Sequence, residues 1–207
     1  MSVTVLEHPL AGHLLAELRD HRTPPNQYRQ VAHSLTHLLV IEATRELRTR
    51  PERVRTPLQE TDAVRLGQGL AVIPVLRAGL GMLDPVLALF PDVAVGYVGL
   101  ERNEETAVAR RYYVKCPKLD DRYTLVLDPM LATGGSAVQA IALAREMGAG
   151  PIVMVCVIAA PEGVRNMEKF HPDVRIVTAA LDEGLNERKY IVPGLGDFGD
   201  RLYGTQP

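Results

Sequence analysis

The sequence predicts an α/β fold, with a mostly parallel twisted sheet flanked by helices, a helical N-terminal segment and a C-terminal hood. Three observations carry that reading. Apolar runs of strand length alternate with helix-period segments from Leu70 to Ala179, the stretch from Asn26 to Arg48 carries a helical apolar stripe, and the tail after Asp182 is glycine-rich without periodicity. Strands that alternate with helices form parallel sheets covered on both faces.

Taken in order, Leu10 to Leu18 reads as a short helix, separated from the next by the Thr23-Pro24-Pro25 turn. Val31, Leu35, Leu38, Leu39, Ala43 and Leu47 recur at steps of three and four, which predicts an amphipathic helix over Asn26 to Arg48. A strand follows at Leu70 to Leu76, a helix at Gly81 to Phe90 and a strand at Val93 to Leu100. Further on come a second pair of strands, among them the apolar run from Tyr123 into Asp128, then a helix from Ala137 to Met147 and a strand from Ile152 to Ala159. A helix from Glu162 to Phe170 leads to the last strand, Val174 to Ala179. No repeat or linker divides the chain, so one domain is expected over residues 1–207, with residues 1–50 as a helical arm and residues 182–207 as a loop-based hood over the sheet edge.

With 207 residues, 46% of them hydrophobic, the chain can bury one substantial core. Basic and acidic residues nearly balance, 23 against 25, so no overall field attracts nucleic acid or an anionic membrane. The start has no charged segment leading into a long apolar one, and no run approaches the ~20 apolar residues of a bilayer span, so a cytoplasmic protein with neither membrane nor nucleic-acid partner is expected. Cys116 and Cys156 lack neighbours at ligand spacing and read as packed thiols. His33 and His37, one helical turn apart, have no third ligand in a metal motif, and no metal site built from the protein alone is expected.

The most informative stretch is the strand from Tyr123 that runs into Asp128-Pro129-Met130-Leu131-Ala132-Thr133-Gly134-Gly135-Ser136 and then a helix. Glycines let the backbone turn and aim N–H groups at one spot, while Thr133 and Ser136 add hydroxyl donors at the positive end of the helix, where an anionic phosphate fits. Asp128 stands at the carboxyl end of a strand, where open α/β sheets bind ligands, and a carboxylate there can accept from two vicinal ribose hydroxyls. An ordinary strand, turn and helix cap is an equal reading of these residues alone. Arg77 follows an apolar strand beside Gly79 and Gly81, which leave room for close approach to a ligand; alone, it reads more readily as a solvated strand-end arginine. Arg102 leaves another strand in a charged segment, where a solvated hairpin is the plainer alternative.

The stretch from Tyr123 to Ala137 resembles the phosphoribosyl-pyrophosphate (PRPP) loop of type I phosphoribosyltransferases, whose usual form is an apolar strand, two acids and A-x-T-G-G. Pro129 replaces the second acid, which is the form the loop takes in uracil phosphoribosyltransferases. The tail from Asp182 to Thr205 is similar to that family's uracil-binding end, and the resemblance extends over nearly the whole chain, Ile41 to Arg45 included.

The resemblance implies transfer of a phosphoribosyl group from PRPP to uracil, giving UMP and diphosphate, with Mg²⁺ bound together with PRPP. It assigns PRPP to Arg77, Arg102, Asp128, Pro129, Met130, Leu131, Ala132, Thr133, Gly134, Gly135, Ser136 and Asp197, with Asp128, Arg77 and Arg102 acting in catalysis. Uracil falls to Ile191, Gly196, Asp197 and Phe198. Asn103 stands where the family often has an acid after the arginine. Family members are homo-oligomers, dimers or tetramers, and some respond to GTP; the apolar stripe of the N-terminal helix suits a dimer contact or packing on its own sheet. RNA-binding attenuation regulators of pyrimidine operons share the fold and are the alternative, but the hood belongs to the dedicated enzymes and the near-neutral charge offers RNA no phosphate-binding face. The hood also implies base choice: backbone groups of Gly194 to Gly199 would read uracil's edge and reject cytosine, and the loop has no cation to pair the carboxylate of orotate.

Overall fold

The computed structural model describes residues 2–102 and 109–205. The chain opens on a short strand, β1 (Val3–Val5), and two helices, α1 (Pro9–Arg19) and α2 (Pro25–Ala43), each with proline in its first turn, where a missing N–H costs nothing. A hairpin of β2 (Thr49–Arg55) and β3 (Glu60–Leu66) precedes β4 (Leu70–Leu76), a 3-10 turn (Ala78–Met82) and α3 (Leu83–Leu89). Then come β5 (Ala94–Val95), β6 (Tyr97–Arg102) and β7 (Ala109–Lys115), followed by β8 (Tyr123–Leu127), β9 (Met130–Leu131) and α4 (Gly135–Glu146). The rest is β10 (Ile152–Ala159), α5 (Pro161–Phe170), β11 (Arg175–Leu181), the short ribbon β12 (Gly184–Leu185) and β13 (Ile191–Val192), and α6 (Phe198–Tyr203).

The main sheet runs β1-β11-β10-β8-β4-β6-β7, with β5 beside β4 and β9 beside β10. Its ladders are parallel except between β6 and β7. Alternate residues of the central strands feed two cores. Leu125, Leu127, Val153, Val155 and Val177 face α1, α2, α3 and α6, while Val126, Met154, Cys156 and Ile176 face α4 and α5. A strand covered on both sides reads as an unbroken apolar run, and that signal marked β4 and β10 to their ends. From β4 the chain moves outward to β6 and β7, then returns to place β8 on the other side of β4. The sheet therefore reverses direction between β4 and β8, the place where such sheets open a crevice at their carboxyl ends.

Four local readings need correction. The helix foreseen over Asn26 to Arg48 stops at Ala43, because its last carbonyls already have partners: Tyr123 Oη (2.8 Å) and Arg175 Nη2 (2.7 Å) both donate to the Ala43 oxygen, and Thr44 turns its hydroxyl back onto Val40 O. The expected helical arm over residues 1–50 also contains strand β1, and β2 begins at Thr49. The hairpin β2–β3 was not foreseen, since it buries no face and so shows no alternation; Leu58, Val64 and Leu66 stand exposed on it. The tail is not loop alone: it holds the β12–β13 ribbon and α6. The α2 stripe packs inward on its own sheet, the second of the two roles open to it. Both cysteines are free thiols, and among the described residues no helix is long and apolar enough to cross a membrane.

Tyr123 is 2% exposed, so its hydroxyl bond to α2 forms away from water. Tyr123→Phe is expected to lower stability by ~1 kcal/mol, which for a domain of this size is a loss of about 2–4 °C in Tm. An unchanged melting temperature would show that Arg175 alone satisfies the end of α2.

Candidate active site

At the carboxyl end of the sheet, Asp128 follows β8 and Arg77 follows β4, on neighbouring strands paired through Pro74 and Leu127. Beside them opens a cleft of about 350 Å³ lined by Ala78, Asp128, Met130 and Ala132 on one side and by Arg188 to Ile191 and Gly196 to Gly199 on the other. Asp128, Met130 and Ala132 come from the strand-to-helix loop, and Ile191, Gly196, Asp197 and Phe198 from the tail. Two segments recognised separately in the sequence thus form the two walls of one cleft.

Asp128 accepts a hydrogen bond from Met130 N at 3.3 Å, and desolvation outweighs that bond, pushing the carboxyl up to about 6. Pro129, which has no N–H to give the ladder, separates β8 from β9, and its carbonyl accepts from Val157 N and Ile158 N (3.0 and 3.1 Å). Leu131 is buried and its carbonyl accepts from Ala160 N at 2.9 Å. Pro129 and Leu131 therefore face the protein and hold the loop in place, while Asp128, Met130 and Ala132 face the cleft. Thr133, Gly134, Gly135 and Ser136 lie beyond this wall, at the start of α4. Gly134 is the N-cap with φ of 79° and gives no side-chain cap, so the first N–H groups of this 12-residue helix are left open to a ligand. A Cβ there would also lie 2.9 Å from the Gly163 oxygen.

Arg77 is exposed, follows a cis Leu76–Arg77 peptide and forms no ion pair with a described residue. The room expected beside it is filled by protein: a Cβ on Gly79 would lie 2.5 Å from the Leu127 oxygen, and one on Gly81 would collide with Leu202. Arg102 ends β6, which lies beside β4, with its backbone opposite Ala109; its side chain and Asn103 lie outside the described residues. In the tail, Asp197 caps α6 by accepting from Asp200 N at 2.9 Å, Ile191 and Phe198 are buried, and Gly196 is exposed with φ of 78°. His33 and His37 stack edge to face at 4.6 Å, and no group of three possible metal ligands occurs among the described residues.

Arg188, Lys189 and Tyr190 were not foreseen as cleft residues. They occupy the turn between β12 and β13, where the Asn186 carboxamide oxygen accepts from Arg188 N and Tyr190 N, both at 3.0 Å. An asparagine between two short apolar pairs is a hairpin signal, and it could have placed them. Their presence overturns the charge argument against orotate, because two cations stand at the cleft although none lies within Gly194 to Gly199.

The model of the family described as uracil phosphoribosyltransferase matches residues 5–205. The chain belongs to the uracil phosphoribosyltransferase family. It is 46% identical over 205 residues to the uracil phosphoribosyltransferase of Campylobacter concisus, covering 99% of both chains. A solved protein structure from Aquifex aeolicus is 36% identical and superposes with a TM-score of 0.94 over 99% of each chain. The adenine phosphoribosyltransferase of Trypanosoma brucei, 11% identical, aligns with a TM-score of 0.60 over 90% of this chain and 86% of its own, and shares the fold alone. Family membership makes this chain an enzyme and confirms the type I phosphoribosyltransferase fold.

Proposed function

We propose that the chain transfers the phosphoribosyl group of PRPP to uracil, forming UMP and diphosphate. The observation that carries this reading is the cleft itself, which sets the Asp128 loop directly against the Ile191 to Gly199 segment. In the reaction uracil N1 takes the anomeric carbon as diphosphate leaves, through a transition state with positive charge on the ribose. The protein's work is then positional and electrostatic.

The open N-terminus of α4, with Thr133 to Ser136, is assigned the 5-phosphate, and Asp128 the two ribose hydroxyls. Arg77, just after β4, and Arg102, at the end of the paired strand β6, are assigned the diphosphate, which a guanidinium fork grips through two oxygens. Ile191, Gly196, Asp197 and Phe198 surround the base, Asp197 also reaching the PRPP side. Mg²⁺ fits this donor set, since it binds through one or two carboxylates plus substrate oxygens; Asp128 and Asp197 would hold it with PRPP, and it would neutralise charge on the leaving diphosphate. A homo-oligomer is part of the proposal, supported by Leu58, Val64 and Leu66 exposed on a hairpin that packs little against its own chain. A cytoplasmic location fits the two free thiols.

Diphosphate release from PRPP, measured with uracil, cytosine and no base, tests the assignment. Cytosine carries an amino donor where uracil has an acceptor and lacks the N3 proton, so backbone groups placed for uracil would face wrong partners. Uracil is expected to turn over with kcat/KM ~10⁴-fold above cytosine. Comparable values would show that the Gly194 to Gly199 backbone does not read the base edge.

A further inference from the structure

The loop that enters the cleft at Gly196 is fastened from outside, to the end of a helix that lies nearly a chain length away. Arg201, on α6, is 7% exposed. Its Nη1 donates to the carbonyl of Leu195 (2.9 Å) and to that of Leu18, and its Nη2 donates to Asp20 O at 2.6 Å. The guanidinium lies 4.4 Å over the ring of Tyr28, which in turn meets Phe198 edge to face at 5.4 Å. One residue earlier in the loop, a second arginine does the same from the opposite direction. Arg19, in the last turn of α1, forks onto Asp182 (3.0 and 2.5 Å) and donates to Gly194 O at 2.7 Å, while Asp182 accepts from Gly194 N at 3.0 Å. Gly194 is therefore held through both its backbone groups and Leu195 through its carbonyl, immediately before Gly196 turns to the cleft.

We propose that Arg201 and the Arg19–Asp182 pair are positioning residues that set the base-facing loop from the C-terminal end of α1, so that selectivity for the base depends on side chains that never touch it. None of the three lines the cleft. The inference rests on the reading that this loop faces uracil.

The choice of residue type supports the role. Among the described residues Arg201 has no acidic partner within ion-pair distance, so a buried charge is retained here without a counter-ion, and what it does hold is three carbonyls from two distant segments. Five donors in a rigid plane can bridge carbonyls in fixed directions, which a lysine ammonium cannot reproduce. Tyr28 serves through its ring and not its hydroxyl, since the buried oxygen has no hydrogen-bond partner.

Steady-state kinetics with uracil and PRPP varied separately test this, on the wild type, Arg201→Lys, Arg19→Gln and Tyr28→Phe. Because a displacement of about 1 Å at a reacting centre can cost up to ~10²-fold, Arg201→Lys and Arg19→Gln are expected to raise KM for uracil about tenfold or more and to narrow the uracil-to-cytosine ratio. KM for PRPP should rise clearly less, because Asp197 is the one residue of this wall also assigned to PRPP, and Tyr28→Phe, which keeps the ring, should leave both constants within about twofold. Arg19 is the safer of the two sites, being 26% exposed, so Arg19→Gln decides the matter if Arg201→Lys does not fold. Equal changes in both KM values, or a lowered Tm with an unchanged uracil KM, would overturn the positioning role while wild-type uracil turnover left the cleft assignment standing. A wild type that released no diphosphate with uracil would overturn both.

Discussion

Asp128→Asn is expected to remove phosphoribosyl transfer and, at the same time, to make the free protein more stable at neutral pH. On the proposed assignment the carboxylate accepts two ribose hydroxyls through charge-assisted bonds of ~1.5–3 kcal/mol each, so kcat/KM for PRPP should fall by ~10²–10⁴-fold, and kcat should fall too because the negative charge would face a cationic transition state. Stability moves the other way. Desolvation holds the folded carboxyl near 6, above its ordinary value of 3.8, so the folded state favours the protonated form more than the unfolded chain does. The stabilising contribution is present below the unfolded value, declines as pH rises towards 6, and is gone above it. At pH 8 the wild type therefore holds a poorly solvated charge that asparagine lacks, and the variant should melt higher; near pH 3 that advantage should vanish. In the wild type, kcat/KM for PRPP should decline as pH falls through about 6. Thermal melts and PRPP titrations across this range check both halves, and wild-type kcat/KM in the variant would remove Asp128 from the mechanism.

Gly196→Val should abolish uracil binding, while Phe198→Ala should chiefly unfold the hood. At Gly196 the φ of 78° lies where a β-branched residue is an outlier, and the nearest atom to an added Cβ is Arg201 Cδ at 3.5 Å, an ordinary contact. Damage there comes from backbone conformation. Relaxing it, at a cost of ~1–3 kcal/mol, moves the N–H and C=O groups proposed to read the base. Phe198 is 1% exposed and packs on Tyr28, so its truncation should cost ~3–5 kcal/mol of stability, or about 10 °C in Tm. Uracil KM and melting temperature measured on both variants separate the two effects. A Gly196→Val protein with wild-type uracil KM would show that this loop does not carry the base contacts.

The elements legible in the sequence are those whose physics is local. β4 and β10 are continuous apolar runs because both their faces are covered, and the Asp128 to Ser136 segment carries its strand, proline, glycines and hydroxyls in order. Within that segment the residue string did not tell inward from outward positions, since Pro129 and Leu131 face the protein; after β4, likewise, the space beside Gly79 is taken by the Leu127 carbonyl. The end of α2 was overrun because Leu47 continues the apolar period, whereas the side chains that terminate the helix, Tyr123 and Arg175, are 80 and 132 residues away from Ala43. The hairpin β2–β3 left no alternation to read, and the turn that brings Arg188 and Lys189 to the cleft depends on one asparagine side chain.

The fastening of α6 to the first helices bears on the order in which the molecule can be completed. Arg29 Nη1 donates to Leu202 O at 2.8 Å across 173 residues, and Arg201 reaches Leu18 across 183. During synthesis α1 and α2 emerge well before the side chains that cover Tyr28 and the loop that forms the second wall of the cleft. Contacts so distant in the chain form late, after shorter loops have closed. A nascent chain that has made the sheet and the Asp128 to Ser136 loop therefore still lacks the second wall of the cleft, and that wall is completed only when α6 docks onto α1 and α2.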